Sequence, residues 1–258
     1  MAKIYYPCMR FLVSRVGRFA EEAASHGEGE VRTLLRTSAY VRFADERYAC
    51  IGDAALGDGP LNAIVEPFVM PAIGERIQLD VHSAVRWAPP SLPPDAMPDL
   101  EPLREAALKR APREGLGGLV VDAHNALSGH AQPALDALER WLVGNALDDD
   151  AAMLVGLGPG FTAAGDSYFC GVLVALTQFQ RKAQASALWR WLSPRLEKTS
   201  AISSAHLAAA AGGEAHEALH LCLQGLCDPG ADWPRLLDRL DRVAGGWDAL
   251  AGVAAVLR

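Results

Sequence analysis

The pattern of apolar and polar residues changes near residue 90. From about residue 30 to residue 87 the two kinds alternate with a period close to two, which is typical of strands with one buried face. Beyond residue 103, apolar residues recur three or four positions apart, as in helices that bury one face. The pattern therefore predicts an α+β fold, with a β-rich N-terminal domain followed by a mainly α-helical C-terminal domain.

Both periods can be followed segment by segment. The alternating segments, separated by Gly, Pro and Asp, are VRTLLRT, YVRFADERYACIG, NAIVEPFVM and ERIQLDVHSAVRW. The segments with helical spacing are LREAALKRA, PALDALERWLVGNA, AGDSYFCGVLVALTQFQRKA, SALWRWLSPRL, SSAHLAAAAG, GEAHEALHLCLQGL, WPRLLDRLDRVA and GWDALAGVAAVL. A short amphipathic helix is also predicted over residues 12–25, although Gly17 within it is a poor helix former.

A proline-rich segment separates the two patterns. Residues 87–102 read WAPPSLPPDAMPDLEP and contain six prolines. Proline cannot donate to a strand ladder, and it disfavours the helical region for the residue before it. We therefore predict a β-rich domain over residues 1–90, a linker over 91–102 and a helical domain over 103–258.

Composition narrows the class of function. A net charge of −7 and a pI of about 5.5 give no electrostatic signature for nucleic acid or an anionic membrane, so we expect neither as a partner. The N-terminus lacks the pattern of a signal peptide, and no apolar run is long enough to cross a bilayer. The five cysteines form no C-x-x-C pair and suit a reducing compartment. These features predict a cytoplasmic protein. We also expect no cofactor and no bound metal.

His216, Glu217 and His220 fit the H-E-x-x-H pattern of zinc metalloproteases. Histidines four apart share one helix face and can bind zinc together, while the glutamate activates a water molecule. Such a site also needs a third zinc ligand, but neither a histidine nor a glutamate follows His220 in the sequence. We therefore expect an ordinary amphipathic helix whose apolar stripe is flanked by the two histidines, with a zinc protease as a remote alternative.

Residues 154–166, LVGLGPGFTAAGD, form a glycine-dense stretch that leads into a long apolar helix. Pro159 and Gly160 suit the central positions of a type II turn, and Thr162 or Asp166 is predicted to cap the helix. The glycine spacing matches neither a Walker A loop nor G-x-G-x-x-G. The start of a helix presents backbone N–H groups and a positive dipole end, so this stretch is a candidate site for a small anion.

A third stretch places Thr199, Ser200, Ser203 and Ser204 before an alanine-rich helix. Hydroxyl side chains are favoured as helix caps, which is the role we expect here. The G-x-S-x-G motif is absent, and Ser167 lies in no nucleophile elbow. The sequence therefore does not favour a Ser/His/Asp hydrolase.

The glycine-dense stretch also carries a longer motif. Its positions are Gly156, Leu157, Gly158, Gly160, Thr162, Gly165 and Asp166, with Gly171 in the apolar segment that follows. This motif resembles the AllH family of subunits associated with bacterial oxamate carbamoyltransferase, whose pattern runs Gly-Leu-Gly-x-Gly-Leu-Thr-Pro-Ser-Gly-Asp-Asp. The chain departs from that pattern at Phe161, Ala163, Ala164 and Ser167.

Three other stretches resemble the same family and lie in the expected order. They are GDGPLNAIV, TSAISSAHLAAAAGGEAHEAL and GGWDALAG. Before the last one, Val243, Ala244 and Gly245 stand where the family tends to have a His-Thr/Ser-Ser-Gly run. The resemblance also implies that the segment with His216 and His220 is an ordinary helix.

The resemblance implies a subunit that works with FdrA-like and AllG-like subunits. Such a complex would transfer a carbamoyl group from carbamoyl phosphate to oxamate, giving oxalurate and phosphate, or run this reaction in reverse, during allantoin and purine breakdown. On this interpretation Asp166 and Thr162 are the predicted catalytic residues. The predicted substrate-binding residues are Gly156, Gly158, Gly160, Gly165, Asn62, Ser200 and Ser203.

The sequence is also compatible with a function other than catalysis. Ser167 and the altered residues 243–245 fit a non-catalytic interaction or regulatory subunit that keeps the fold of the family. Self-association into a homo-oligomer is compatible with either hypothesis.

Overall fold

The computed structural model describes residues 8–258. Its contacts divide the chain into two compact units, and the division falls between Pro89 and Pro90. The described part of the first unit is built on strands and the second on helices, which confirms the predicted α+β class. Leu92 is buried in the core of the helical unit, so the proline-rich segment packs onto that unit. A linker role over residues 91–102 stays a prediction.

The strands of the first unit form one sheet. They are β1 (Met9–Val16), β2 (Glu28–Leu34), β3 (Ser38–Arg42), β4 (Tyr48–Gly52), β5 (Asn62–Val65), β6 (Arg76–Asp80) and β7 (Val85–Arg86). Their order is β5-β4-β3-β2-β6-β1-β7, and the sheet closes on itself because β5 also pairs with β1 in antiparallel register. Alternate residues of these strands point inward and form a core of their own.

The prediction of a helix over residues 12–25 is wrong in its first part. The segment belongs to β1 up to Val16, and a shorter helix, α1 (Arg18–Ala24), begins after Gly17. Phe11 and Val13 are buried while the residues between and beside them are exposed, which is the period of a strand. Gly17 marks the change because a Cβ atom there would lie 1.9 Å from the carbonyl oxygen of Gly59.

The second unit contains eight further α-helices within the described range. They are α2 (Glu101–Ala107), α3 (Ala126–Leu142), α4 (Ala164–Gln178), α5 (Lys182–Leu192), α6 (Ala201–Ala211), α7 (Glu217–Gly225), α8 (Trp233–Leu240) and α9 (Gly246–Leu257). Their apolar faces meet in one large core. No helix in the described part of the chain is both long enough and apolar enough to span a membrane.

Helix α4 is the centre of this unit. Every residue from Ala164 to Leu176 except Cys170 is buried. Helix α9 lies against it at backbone distance, because a Cβ atom on Gly171 would lie 1.8 Å from the carbonyl oxygen of Ala249. The start of α4, where the candidate site lies, is therefore fixed by the packing of its own helix.

Candidate functional site

The glycine-dense turn before α4 contains three glycines with positive φ angles. Gly156, Gly158 and Gly160 have φ angles of 72°, 109° and 96°, which residues with a Cβ rarely adopt. The positive φ of Gly160 agrees with the predicted turn at Pro159 and Gly160. Gly165 needs its missing side chain for another reason, since a Cβ atom there would lie 2.0 Å from the carbonyl oxygen of Leu154.

The predicted cap of α4 is wrong. The N-cap residue is Ala163, and neither Thr162 nor Asp166 makes a side-chain capping bond within the described residues. Asp166 is 2% exposed, and its Oδ1 accepts a hydrogen bond of 2.8 Å from the N–H of Gly156. Its Oδ2 accepts a hydrogen bond from the hydroxyl of Thr199. The carboxylate therefore joins the glycine turn to the segment before α6. Capping rules consider only neighbouring residues, so they do not predict this link.

The hydroxyl residues before α6 meet the same turn. Ser200 caps α6, as the sequence predicts, by accepting a 3.0 Å hydrogen bond from the N–H of Ser203. The hydroxyl of Ser200 donates to the carbonyl oxygen of Phe161 at 2.6 Å, and the hydroxyl of Ser203 donates to it at 3.1 Å. The side chain of Phe161 itself is 51% exposed. The predicted site residues of the two stretches are thus brought together.

The start of α9 reaches the same region. Its N-cap is Gly245, with φ of 70°, and a Cβ atom there would lie 2.2 Å from Ser167 Oγ and 3.9 Å from Thr162 Oγ1. Ser167 and Gly245 are both positions at which the chain departs from the motif of the family that it resembles. The starts of α4, α6 and α9 therefore converge on residues 161–167.

Comparison with known families bears on this segment directly. The family model described as oxamate carbamoyltransferase subunit AllH matches residues 154–257. Over this segment the chain is similar to the AllH family. A search of curated proteins and a search of solved structures each find no match.

The AllH segment runs from the turn before α4 to the end of α9 and so contains the whole converging region. The family model takes its description from a subunit of oxamate carbamoyltransferase, and the similarity to it is limited to residues 154–257. The catalytic assignment of Asp166 and Thr162 stays a prediction, as do the substrate-binding roles of the glycines and serines.

Asn62 lies outside the AllH segment, in the sheet of the first unit. Its side chain is buried and donates a 2.9 Å hydrogen bond to the carbonyl oxygen of Gly57. Its own carbonyl oxygen accepts a 2.9 Å bond from the N–H of Gly17. These bonds hold the loop before β5 and the start of α1, and its role in substrate binding stays a prediction.

The two histidines of the H-E-x-x-H pattern have structural partners in the AllH segment. His216 precedes α7 as its N-cap, and its Nδ1 accepts a 3.1 Å bond from the N–H of Ala218. His220 is 1% exposed, not at the boundary as predicted, and its Nε2 accepts a 3.1 Å bond from the N–H of Ala215. Among residues 8–258 there is no group of three or more His, Cys, Asp or Glu that could hold a metal ion.

Buried His220 gives a pH-dependent contribution to stability. Burial, and to a smaller extent His216, lowers the pKa of His220 from 6.5 to about 4. The unfolded chain binds a proton there between pH 6.5 and 4 while the folded chain does not, so stability is lost as pH falls through this window.

The variant His220→Gln tests this effect, because glutamine can still accept the N–H of Ala215 but does not titrate. Between pH 7 and pH 5 we expect its free energy of unfolding to fall by about 2 kcal/mol less than that of the wild type. Urea unfolding at both pH values measures the difference. Equal losses in the two proteins would contradict the lowered pKa.

Sequence reasoning missed two side chains that shape this region. Thr199 was expected only as a cap, yet it pairs with Asp166 from 33 positions away. Asp248, in the first turn of α9, accepts a 2.6 Å bond from the N–H of Leu116, and burial raises its pKa to about 6. An acidic residue in a first helical turn is a sequence signal for such a role, but it does not identify the distant partner.

Proposed function

We propose that this chain is a subunit of a carbamoyltransferase complex that acts with FdrA-like and AllG-like subunits. The reaction would join the nitrogen of oxamate to the carbamoyl carbon of carbamoyl phosphate. The bond from that carbon to the phosphate oxygen breaks, oxalurate and phosphate leave, and the nitrogen loses a proton. We place this reaction, or its reverse, in the cytoplasmic breakdown of allantoin and purines.

The match of residues 154–257 to the AllH family model is the observation that carries the proposal. The convergence of the starts of α4, α6 and α9 on residues 161–167 supports it physically. Such a transfer needs one substrate held close to the other, and N–H or hydroxyl donors where negative charge develops. The hydroxyl of Thr162 and the N–H of Ala164 are donors of this kind, whereas the N–H of Gly165 already donates to the carbonyl oxygen of Leu157 at 2.9 Å.

The residues of the turn take different roles in this proposal. Gly160 leaves open space where a side chain would be, so the backbone there can approach a small anion closely. Gly156 and Gly158 shape the turn, since their missing side chains make room for the backbone of Lys198 and Ala164. Thr162 offers a hydroxyl to the substrate. Asp166 acts as a positioning residue, because both of its oxygens accept hydrogen bonds from the chain itself.

Reconstitution of the complex tests the proposed activity. The purified chain is combined with FdrA-like and AllG-like subunits, and oxalurate formation from oxamate and carbamoyl phosphate is measured with and without it. We expect activity only when all subunits are present. Calorimetry with carbamoyl phosphate, oxamate and phosphate, on the chain alone and in the complex, tests the pocket; binding in no combination would contradict it.

A non-catalytic interaction subunit is the second candidate. The observation that favours it is the contact of Ser167 with Gly245, which joins two departures from the family motif in one place. It predicts co-purification with the partners and an oxalurate yield that does not depend on Thr162. The variant Thr162→Val, which keeps the shape of the side chain and removes its hydroxyl, separates the two candidates.

A further inference from the structure

One end of the closed sheet exposes large apolar side chains. At this end β2 and β3 are joined by the turn at residues 35–37, and β5 and β6 by the loop of residues 66–75. The N–H of Gly74 donates to the carbonyl oxygen of Val31 at 2.9 Å, so the loop reaches β2. The exposed residues of the turn and the loop form what we call the end patch: Leu34 and Leu35 (each 38% exposed), Met70 (37%), Val69 (62%) and Ile73 (67%).

The loop that carries most of the end patch is held by contacts of its own. Phe68 packs against Phe11 in the core of the sheet, with ring centroids 6.1 Å apart, and Pro71 is buried. Glu75 Oε2 accepts a 2.9 Å hydrogen bond from the N–H of Ala72. A surface fixed in this way loses little conformational freedom on docking, and apolar patches on soluble proteins mark interaction sites. The end patch therefore fits an apolar protein surface.

Two charged side chains lie at the same end without a salt-bridge partner among residues 8–258. Arg36 is in the β2–β3 turn and Glu66 directly follows β5, and both are exposed. Arg76 nearby is already paired with Glu28. In the closed strand order, the junction of β2 with β3 lies opposite the junction of β5 with β1. The end patch therefore has a positive charge on one side and a negative charge on the other.

We propose that the end patch binds the end patch of a second copy of this chain in a symmetric dimer. A twofold axis in the plane of the contact, perpendicular to the line from Arg36 to Glu66, brings Arg36 of each copy against Glu66 of the other. The same rotation packs the apolar side chains of the two copies together and removes them from water. A different partner would have to supply an apolar face and both charges in matching positions, whereas a second copy supplies them by symmetry.

Sedimentation velocity on the purified full chain tests this dimer. A small apolar contact forms a weak interface, so the chain is measured up to about 0.1 mM. We expect a reversible equilibrium between a monomer of 27.5 kDa and a species of twice that mass. Ile73→Glu places a charge in the contact and should weaken the dimer by about tenfold or more. The matched control is Val85→Glu, because Val85 is 65% exposed but lies at the other end of β1, opposite Arg15.

Charge reversal tests the orientation of the two copies. Arg36→Glu and Glu66→Arg should each weaken the dimer, because like charges then face each other at two symmetric positions. Combined in one chain, the two changes put opposite charges together again and should restore dimerisation to within about threefold of the wild type. Thermal unfolding of each variant verifies that it is folded.

Three results would overturn the inference. One is a wild-type chain that stays monomeric to about 0.1 mM. Another is a dimer that Ile73→Glu leaves unchanged, and the third is a double charge variant that dimerises no better than the single ones. A monomeric chain whose co-purification with FdrA-like and AllG-like subunits is lost in Ile73→Glu, and not in Val85→Glu, would also overturn it and assign the end patch to another subunit.

Discussion

The variant Gly171→Ala is expected to lose about 3 kcal/mol or more of its free energy of unfolding. Gly171 lies where α4 and α9 are closest, and its new methyl group would be 1.8 Å from the carbonyl oxygen of Ala249 and 2.6 Å from the carbonyl carbon. Both atoms belong to helix backbone, so a side-chain rotation cannot relieve the overlap. One of the two helices has to move, and both are almost fully buried.

Gly129→Ala is the matched control for this prediction. Gly129 also lies inside a helix, α3, but a Cβ atom there would meet nothing within 4 Å among the described residues. Alanine is the better helix former, so this variant should gain about 0.5–1 kcal/mol. Urea unfolding of the two variants measures the contrast. If they differed by less than about 1 kcal/mol, the close approach of α4 and α9 would be contradicted.

The contact between Gly171 and Ala249 also affects the candidate site. Ser167 lies one helical turn before Gly171 on α4, and Gly245 lies one turn before Ala249 at the start of α9. A shift of either helix therefore separates the two helix starts that meet at Ser167. Gly171→Ala should weaken anion binding as well as stability, whereas Gly129→Ala should change neither binding nor the site.

Local sequence patterns predicted the helices and strands of this fold well, but they did not predict which parts of the chain contact each other. Helices α6 to α9 follow the apolar spacing that the sequence displays, because each buries one face against a common core. Strand β1 was missed although its residues alternate, since the helical pattern over residues 12–25 overlapped it. Gly17 then ends the strand through contact with Gly59. That contact joins two parts of the chain that no local window includes.

In the candidate site, too, local backbone geometry could be predicted from the sequence and distant contacts could not. The positive φ angle at Gly160 could be predicted, because the second central position of a type II turn needs it. The partners of Asp166 could not, because they stand 10 and 33 positions away. Helix propensity counts Gly171 as a weak position. The structure requires glycine at position 171, since the backbone of α9 at Ala249 occupies the place that a side chain would take.

Asp166→Ala is the second substitution with a large expected effect, about 3 kcal/mol of destabilisation. Removal of the carboxylate leaves the N–H of Gly156 and the hydroxyl of Thr199 without their acceptor in a partly buried place. Each buried donor without a partner costs about 1–3 kcal/mol. Thr199→Val removes only one of the two bonds and should cost less. A double-mutant cycle with these variants should show coupling of at least about 0.5 kcal/mol, since the residues are in contact.

Stability alone does not separate a positioning role of Asp166 from a catalytic one, but Asp166→Asn does. Asparagine has the same shape, its Oδ1 can accept from Gly156, and its amide can donate to the Thr199 oxygen. A residue that only positions the turn should then retain most of the stability and of the transfer activity in the reconstituted complex. A residue that exchanges a proton with substrate should lose activity by about a hundredfold or more, with stability retained. Because both oxygens of Asp166 already accept hydrogen bonds within the chain, we expect the first result.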